Sequence, residues 1–322
     1  MRAVAVAGPT ASGKSALALE LARRYCGEII SCDSMQIYRG MDIGTAKPTK
    51  EERAEVAHHM IDILDPGESY SAASYASDAT GICEKLDARG VLPIICGGTG
   101  LYLEALRDRR FSCGSPGSDD EYRDALRAIA EEEGGRERLH KMLRDADPSS
   151  AEAIHPNNVK RVIRALEIHH LSSRPKSEWD DLSKESDTDG GASIEVDAVA
   201  IVFEDRELLS HRIERRVDEM ISLGLLDEIA RLDSDGVFDT DSTASAAIGY
   251  KELLPALRGE AELNECIERL KTATRRYAKR QITWFSHRSG IHTLYADEGG
   301  RLKSSSQLAD EVERLFPYLS LR

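Results

Sequence analysis

The hydrophobic positions of the chain follow two rhythms. Short apolar runs rich in β-branched residues, at 4–7, 28–32, 91–96 and 198–203, have the length and composition of strands buried on both faces. Longer stretches, at 16–25, 119–133, 154–171 and most of the chain after 207, space their apolar residues three and four apart and read as helices. Strand alternates with helix over the first hundred residues, which indicates a parallel α/β sheet. From about Cys113 the character changes, through a Gly-Ser-Pro-Gly-Ser run into acidic helical segments, and strand returns only near 198. The expected organisation is an α/β core in two parts, residues 1–112 and 194–322, interrupted by a helical insertion at 113–193. Residues 172–193, rich in Ser, Asp, Gly and Lys, are expected to form a mobile connection, and the tail after Ser304 to be loose.

A length of 322 residues suits one large core with a smaller companion. No apolar run approaches the roughly 18 residues of a membrane span, and the first residues lack a signal-peptide pattern, so a cytoplasmic protein with no membrane partner is expected, and a monomer. Cys26, Cys32, Cys83, Cys96, Cys113 and Cys266 form no C-x-x-C pair and read as reduced, mostly buried thiols. His58 and His59 have no third ligand nearby and read as one buried and one exposed imidazole rather than a zinc site. The net charge of −14 excludes a nucleic-acid binder that uses its whole surface, but not a local basic patch.

Three stretches carry chemistry. Gly8, Pro9, Thr10, Ala11, Ser12, Gly13, Lys14 and Ser15 match G-x-x-x-x-G-K-[ST] between a predicted strand and helix. Backbone amides there converge on phosphate oxygens, the helix N-terminus adds its dipole, Lys14 supplies charge and Ser15 can hold Mg²⁺. The strand at 91–96 ends in Gly97-Gly98 instead of an acidic residue, and no N-K-x-D motif occurs, so a reaction other than nucleotide hydrolysis is plausible. Asp33, followed by Ser34, Met35 and Gln36, lies at the carboxyl end of the second strand, on the sheet edge shared with the glycine loop; it suits a base, or merely a cap for the next turn. At 271–288 no acidic residue interrupts a basic helix on which Lys271, Arg275 and Lys279 recur every four residues opposite Leu270, Thr274, Tyr277 and Phe285. That pattern fits a solvated face or a contact with an RNA backbone.

Together these stretches resemble the tRNA dimethylallyltransferase family along nearly the whole chain. The resemblance is carried by residues 8–15, 33–48, 58–63, 97–102, 155–167, 249–252 and 277–284, of which D-S-M-Q-I-Y-R-G-M-D-I-G-T-A-K-P at 33–48 is the most specific. It implies a P-loop NTPase-like parallel sheet core with an inserted helical domain that embraces a tRNA anticodon stem-loop. It implies dimethylallyl diphosphate as donor, N6 of adenosine 37 as acceptor, release of diphosphate, Mg²⁺ as cofactor and no use of ATP. Carried over by position, Asp33, Lys14 and Thr99 are catalytic and residues 8–15 hold the diphosphate. Asp33, Ser34, Met35, Gln36 and Thr99 face the acceptor. Arg123, Lys160, Arg161, Arg164, Gly249, Tyr250, Lys251, Lys279, Arg280, Gln281 and Trp284 face tRNA. Ala246 and Ser286 stand where the family often has a longer polar residue and an arginine. An adenylate isopentenyltransferase, a small-molecule P-loop kinase and a non-catalytic RNA-binding module are the competing readings, separable by which acceptor gains the isoprenoid.

Overall fold

A computed structural model describes residues 1–107, 117–179, 194–239 and 242–321. Among the described residues, β1 (Arg2–Ala7), β2 (Gly27–Ser31), β3 (His58–His59), β4 (Leu92–Gly97), β5 (Glu195–Val202) and β6 (Ile291–Tyr295) form one parallel sheet in the order β3-β2-β4-β1-β5-β6. Alternation of side chains across the pleat divides β1 between two cores. Val4 and Val6 pack with α1 (Lys14–Tyr25), while Ala3, Ala5 and Ala7 face Tyr75, Ala79 and Cys83, with α2 (Lys50–Glu55) lying between in sequence. Those three residues belong to α3 (Ala72–Asp87), which is joined on that face by Tyr102, Leu103 and Leu106 of α4 (Gly100–Arg107). Because parallel strands all present their carboxyl ends to one edge, the loops after β1, β2 and β4 gather there.

The chain divides into two compact units, Met1–Arg107 with Ala192–Arg322, and Asp108–Gly191. The second contains α5 (Asp120–Glu131), α6 (Gly135–Ala146), α7 (Pro148–Ala153) and α8 (Val159–Ser172), packed around Leu126, Leu139, Leu143, Val162 and Leu166. In the first unit the chain continues through α9 (Arg206–Ser222), α10 (Leu225–Ser234), α11 (Tyr250–Leu257) and α12 (Leu263–Ser286), whose inner faces meet Ile37, Tyr38 and Met41 in a third core.

Several expectations are corrected. The tail is not loose: Ser304 and Gln307 form a reciprocal cap for α13 (Ser305–Leu315), which buries Leu308, Ala309 and Val312 in the α1-side core. The region after 207 is mainly helical as expected, with β6 as an added edge strand in which Leu294 alone is fully buried. The expected mobile connection lies outside the described residues from 180 on, as does Cys113. Its first part is anchored, since Ser177 donates from its backbone N (2.9 Å) and its hydroxyl (2.7 Å) to the buried Asp147 carboxylate. Neither His58 nor His59 is fully buried or fully exposed: His58 Nδ1 bonds the Val56 carbonyl, and His59 Nε2 lies 2.7 Å from Glu28.

Candidate active site

β1 delivers the chain to Gly8, and α1 takes it up at Lys14 through Gly13, whose φ of 92° a side chain would oppose. Between them Ala11 adopts a φ of 61°, a left-handed conformation that costs roughly 1–2 kcal/mol outside glycine. The surrounding structure holds it there, because Arg212 Nε of α9 donates to the Ala11 carbonyl at 2.8 Å. The Lys14 ammonium donates to the Pro9 carbonyl at 3.2 Å.

This loop forms one end of a cavity of about 400 Å³. Thr10, Lys14, Ser15, Asp33, Arg216, Tyr277 and Arg280 are among its polar lining, and Ile213, Val217, Met220, Ala247, Ile248 and Leu270 among its apolar lining. A second hollow of about 220 Å³ is enclosed by residues 11–15 with Arg212, Arg215, Arg216 and Glu219. Burial, then repulsion from Arg216, pushes the Lys14 ammonium below its ordinary value, while Asp33 pulls the other way. Burial likewise lowers the Arg216 guanidinium, again against the pull of Asp33. Two desolvated cations and one carboxylate therefore act on each other in this cavity, and an incoming polyanion would relieve the cation pair. Burial raises the Cys32 thiol to about 12 and the Cys96 thiol to about 11, which removes both as nucleophiles at neutral pH.

Asp33 is positioned by its own turn: Oδ1 accepts the Met35 amide at 2.9 Å. Thr99 does not line the cavity. Its hydroxyl accepts the Ser34 amide at 3.0 Å and donates to Ser34 Oγ at 3.3 Å, fastening the segment that carries Asp33. Gln36 does line it, but its amide is committed to the protein, donating to the carbonyls of Thr45 and Ala46 and accepting from Ser31 Oγ.

The residues expected to face RNA separate into two groups. Lys160, Arg161, Lys251, Lys279 and Arg280 are exposed, as are Ala246 and Ser286. Tyr250 and Gly249 are buried, and the Tyr250 hydroxyl donates at 2.7 Å to buried Glu228, whose carboxylate also accepts the backbone amides of Asp42, Ile43 and Gly44. Gln281 is buried and bonded to backbone at both ends. Trp284 packs over Gly100 and takes Arg288 on its ring. Arg123 and Arg164 hold the fully buried Glu167 at 2.8 and 2.5 Å. Tyr250 and Gln281 are thus buried, Gln281 lining the cavity, and at Arg123 and Arg164 any contact competes with an ion pair.

Sequence reasoning missed Arg212 and Arg216. The available signal was an arginine cluster, Arg212, Arg215 and Arg216, beside the Leu209, Ile213 and Val217 stripe of α9 in an otherwise acidic chain. For a metal, the described residues contain no group of three or more His, Cys, Asp or Glu side chains able to hold one. The oxygen donor that the loop itself offers is the Ser15 hydroxyl, a hard ligand that suits a hard divalent cation whose other ligands come from water or substrate.

A family model described as IPP transferase matches residues 36–288, and one described as isopentenyl transferase matches residues 1–62. The chain is 44% identical over 318 residues to a tRNA dimethylallyltransferase of Geobacillus thermodenitrificans, covering 98% of this chain and 96% of that protein. Among solved structures it is similar to the full-length tRNA isopentenylpyrophosphate transferase of Bacillus halodurans, with a TM-score of 0.69 and 39% identity over 99% of this chain and 97% of that one. It is also similar to a eukaryotic dimethylallyltransferase described as acting on tRNA, with a TM-score of 0.80 and 28% identity over 100% of this chain and 80% of that one.

Proposed function

The chain belongs to the tRNA dimethylallyltransferase family, and from that premise we propose that its cavity joins dimethylallyl diphosphate to N6 of adenosine 37 in tRNA and releases diphosphate. It is a transferase that moves a dimethylallyl group to tRNA. One observation supports the finer reading above the rest: Lys14, Arg216 and Asp33 share a cavity that is also lined by the apolar side chains Ile213, Val217, Met220, Ile248 and Leu270. A diphosphate with a five-carbon tail has that same division between charge and hydrocarbon.

The adenine N6 amine is a weak nucleophile because its lone pair is delocalised into the ring, so attack on the allylic carbon must be accompanied by loss of a proton. Asp33 accepts that proton as the carbon–nitrogen bond forms. The base must leave its stack to reach the cavity. As the carbon–oxygen bond breaks, charge gathers on the leaving diphosphate, where Lys14, Arg216 and the amides at the start of α1 oppose it. Mg²⁺ held by Ser15 would supply further neutralisation there. Exposed Lys279 and Arg280 of α12, and Lys160 and Arg161 of the helical unit, are the side chains we assign to the RNA backbone.

The test offers labelled dimethylallyl diphosphate to the protein with unmodified tRNA, AMP or ATP. Label should appear in tRNA alone, as N6-(dimethylallyl)adenosine at position 37, with one diphosphate released per group. Label in AMP or ATP would replace this reading by a free-nucleotide transferase.

A further inference from the structure

Gln281 lies on the buried stripe of α12, between Ala278 and Phe285, where every neighbour along the stripe is apolar. A buried amide in that place must find partners for both of its ends. Its carbonyl oxygen accepts the Thr10 backbone N–H at 3.0 Å, and its amino group donates to the Gly98 carbonyl at 2.9 Å. These two backbone groups belong to two different loops, those that follow the adjacent strands β1 and β4. Thr10 opens the loop that carries Lys14 and Ser15. Gly98 precedes Thr99, whose hydroxyl holds the Ser34 amide beside Asp33. One side chain therefore ties the loop that carries Lys14 to the loop whose Thr99 in turn holds the Asp33 segment.

The span is closely fitted. A Cβ added to Gly98 would stand 2.1 Å from Gln281 Nε2, so the residue at 98 must be glycine for the amide to approach. The bond to Thr10 also withholds one amide of the phosphate-binding loop from the ligand. Anion contact then falls to the later amides, to Lys14 and to Arg216.

We propose that Gln281 is a positioning residue for the transfer, a brace that fixes the separation between the phosphate loop and the Asp33 segment. Its carbonyl end registers the leaving-group side and its amino end the proton-accepting side. Displacement of either end moves the donor carbon out of line with the acceptor nitrogen, to which transfer rates are steeply sensitive. The proposal rests on the reading of Lys14 as the leaving-group side and Asp33 as the base.

Gln281→Met keeps the length of the side chain and removes both hydrogen bonds. Its single-turnover rate at saturating donor and tRNA should fall by about 10–10², because alignment at the reacting atoms is lost. The dissociation constant for tRNA and the KM for donor should stay within about twofold, since Gln281 lines the cavity but both of its polar ends are committed to backbone groups. Hydrogen exchange at the Thr10 amide should quicken while exchange in β1 stays unchanged, which separates loss of the brace from general loosening. Gly98→Ala should slow transfer in the unaltered background but add less than about twofold in a Gln281→Ala background, where its collision partner is gone. A rate equal to the unaltered protein's, a loss confined to KM or tRNA affinity, or additive effects of Gly98→Ala and Gln281→Ala would each overturn the proposal. Failure of the unaltered protein to modify tRNA would overturn the underlying reading and the proposal with it. Normal transfer by that protein and equally fast transfer by Gln281→Met would overturn the proposal alone.

Discussion

Lys14 and Arg216 reach the same cavity from places about 200 residues apart in the chain, and only the first was legible from its motif. A glycine loop announces itself locally because its neighbours in space are its neighbours in sequence. Arg216 is brought in by the packing of α9, where Leu209, Ile213 and Val217 turn inward and carry it along their shoulder. Removing the Lys14 charge should damage turnover more than tRNA binding: Lys14→Met is expected to lower single-turnover transfer by about 10²–10³, the usual loss for one electrostatic stabiliser. The same variant should change the pH dependence of stability. Burial and Arg216 hold the Lys14 pKa below its ordinary value. Between those two values the unfolded chain binds more protons than the folded one, so this group makes stability rise with pH across the window. Below the lowered value the destabilisation is present in full. Denaturant melts across the alkaline range should therefore show the unaltered protein gaining stability relative to Lys14→Met as pH rises. A constant difference would mean that Lys14 ionises as freely in the fold as outside it.

The basic stripe of α12 was visible as spacing, but its partners were not. Arg275 pairs with Glu214 at 2.7 Å and Lys271 with Asp218 at 2.9 Å, so α9 neutralises two of the three cations of what looked like a continuous face. No acidic residue interrupts 271–288, and the neutralising ones lie some 60 residues earlier, beyond any local window. Lys279 and Arg280 remain exposed. Replacing both by alanine should weaken tRNA binding and flatten its dependence on salt by roughly 0.7–0.9 in log–log slope for each phosphate no longer neutralised. Arg275→Ala should leave that slope nearly unchanged, and filter-binding titrations over a salt series would distinguish the two. The anchoring of the 42–46 segment by α10 and α11 is a second property at this scale. Glu228 accepts three backbone amides and the Tyr250 hydroxyl, all within 3.0 Å. Tyr250→Phe leaves that buried carboxylate one donor short and should cost about 1.5–3 kcal/mol of stability, as read from urea unfolding. A variant as stable as the parent would show that the hydroxyl adds nothing to the anchor. A helical period marks Tyr250 as inward-facing, and the same period places Gln281 on the apolar stripe of α12.

A chain of net charge −14 that binds a polyanion must separate where it holds RNA from where it reacts. Alternating strand and helix patterns made the α/β core legible. The edge strand β6 and the capped helix α13 escaped because each offers few buried residues in a mostly polar stretch. On the proposed function labour is divided across the molecule, with exposed cations assigned to the RNA and the cavity around Asp33 to the transfer. Asp33→Asn tests this division most directly, because the amide keeps size and hydrogen bonding while losing basicity. In one single-turnover experiment with pre-bound tRNA, transfer should fall by roughly 10²–10⁴, the range for loss of a general base, while tRNA affinity changes little. Transfer by Asp33→Asn at the rate of the unaltered protein would contradict it, leaving Asp33 to position the adenine while solvent or the departing diphosphate takes the proton.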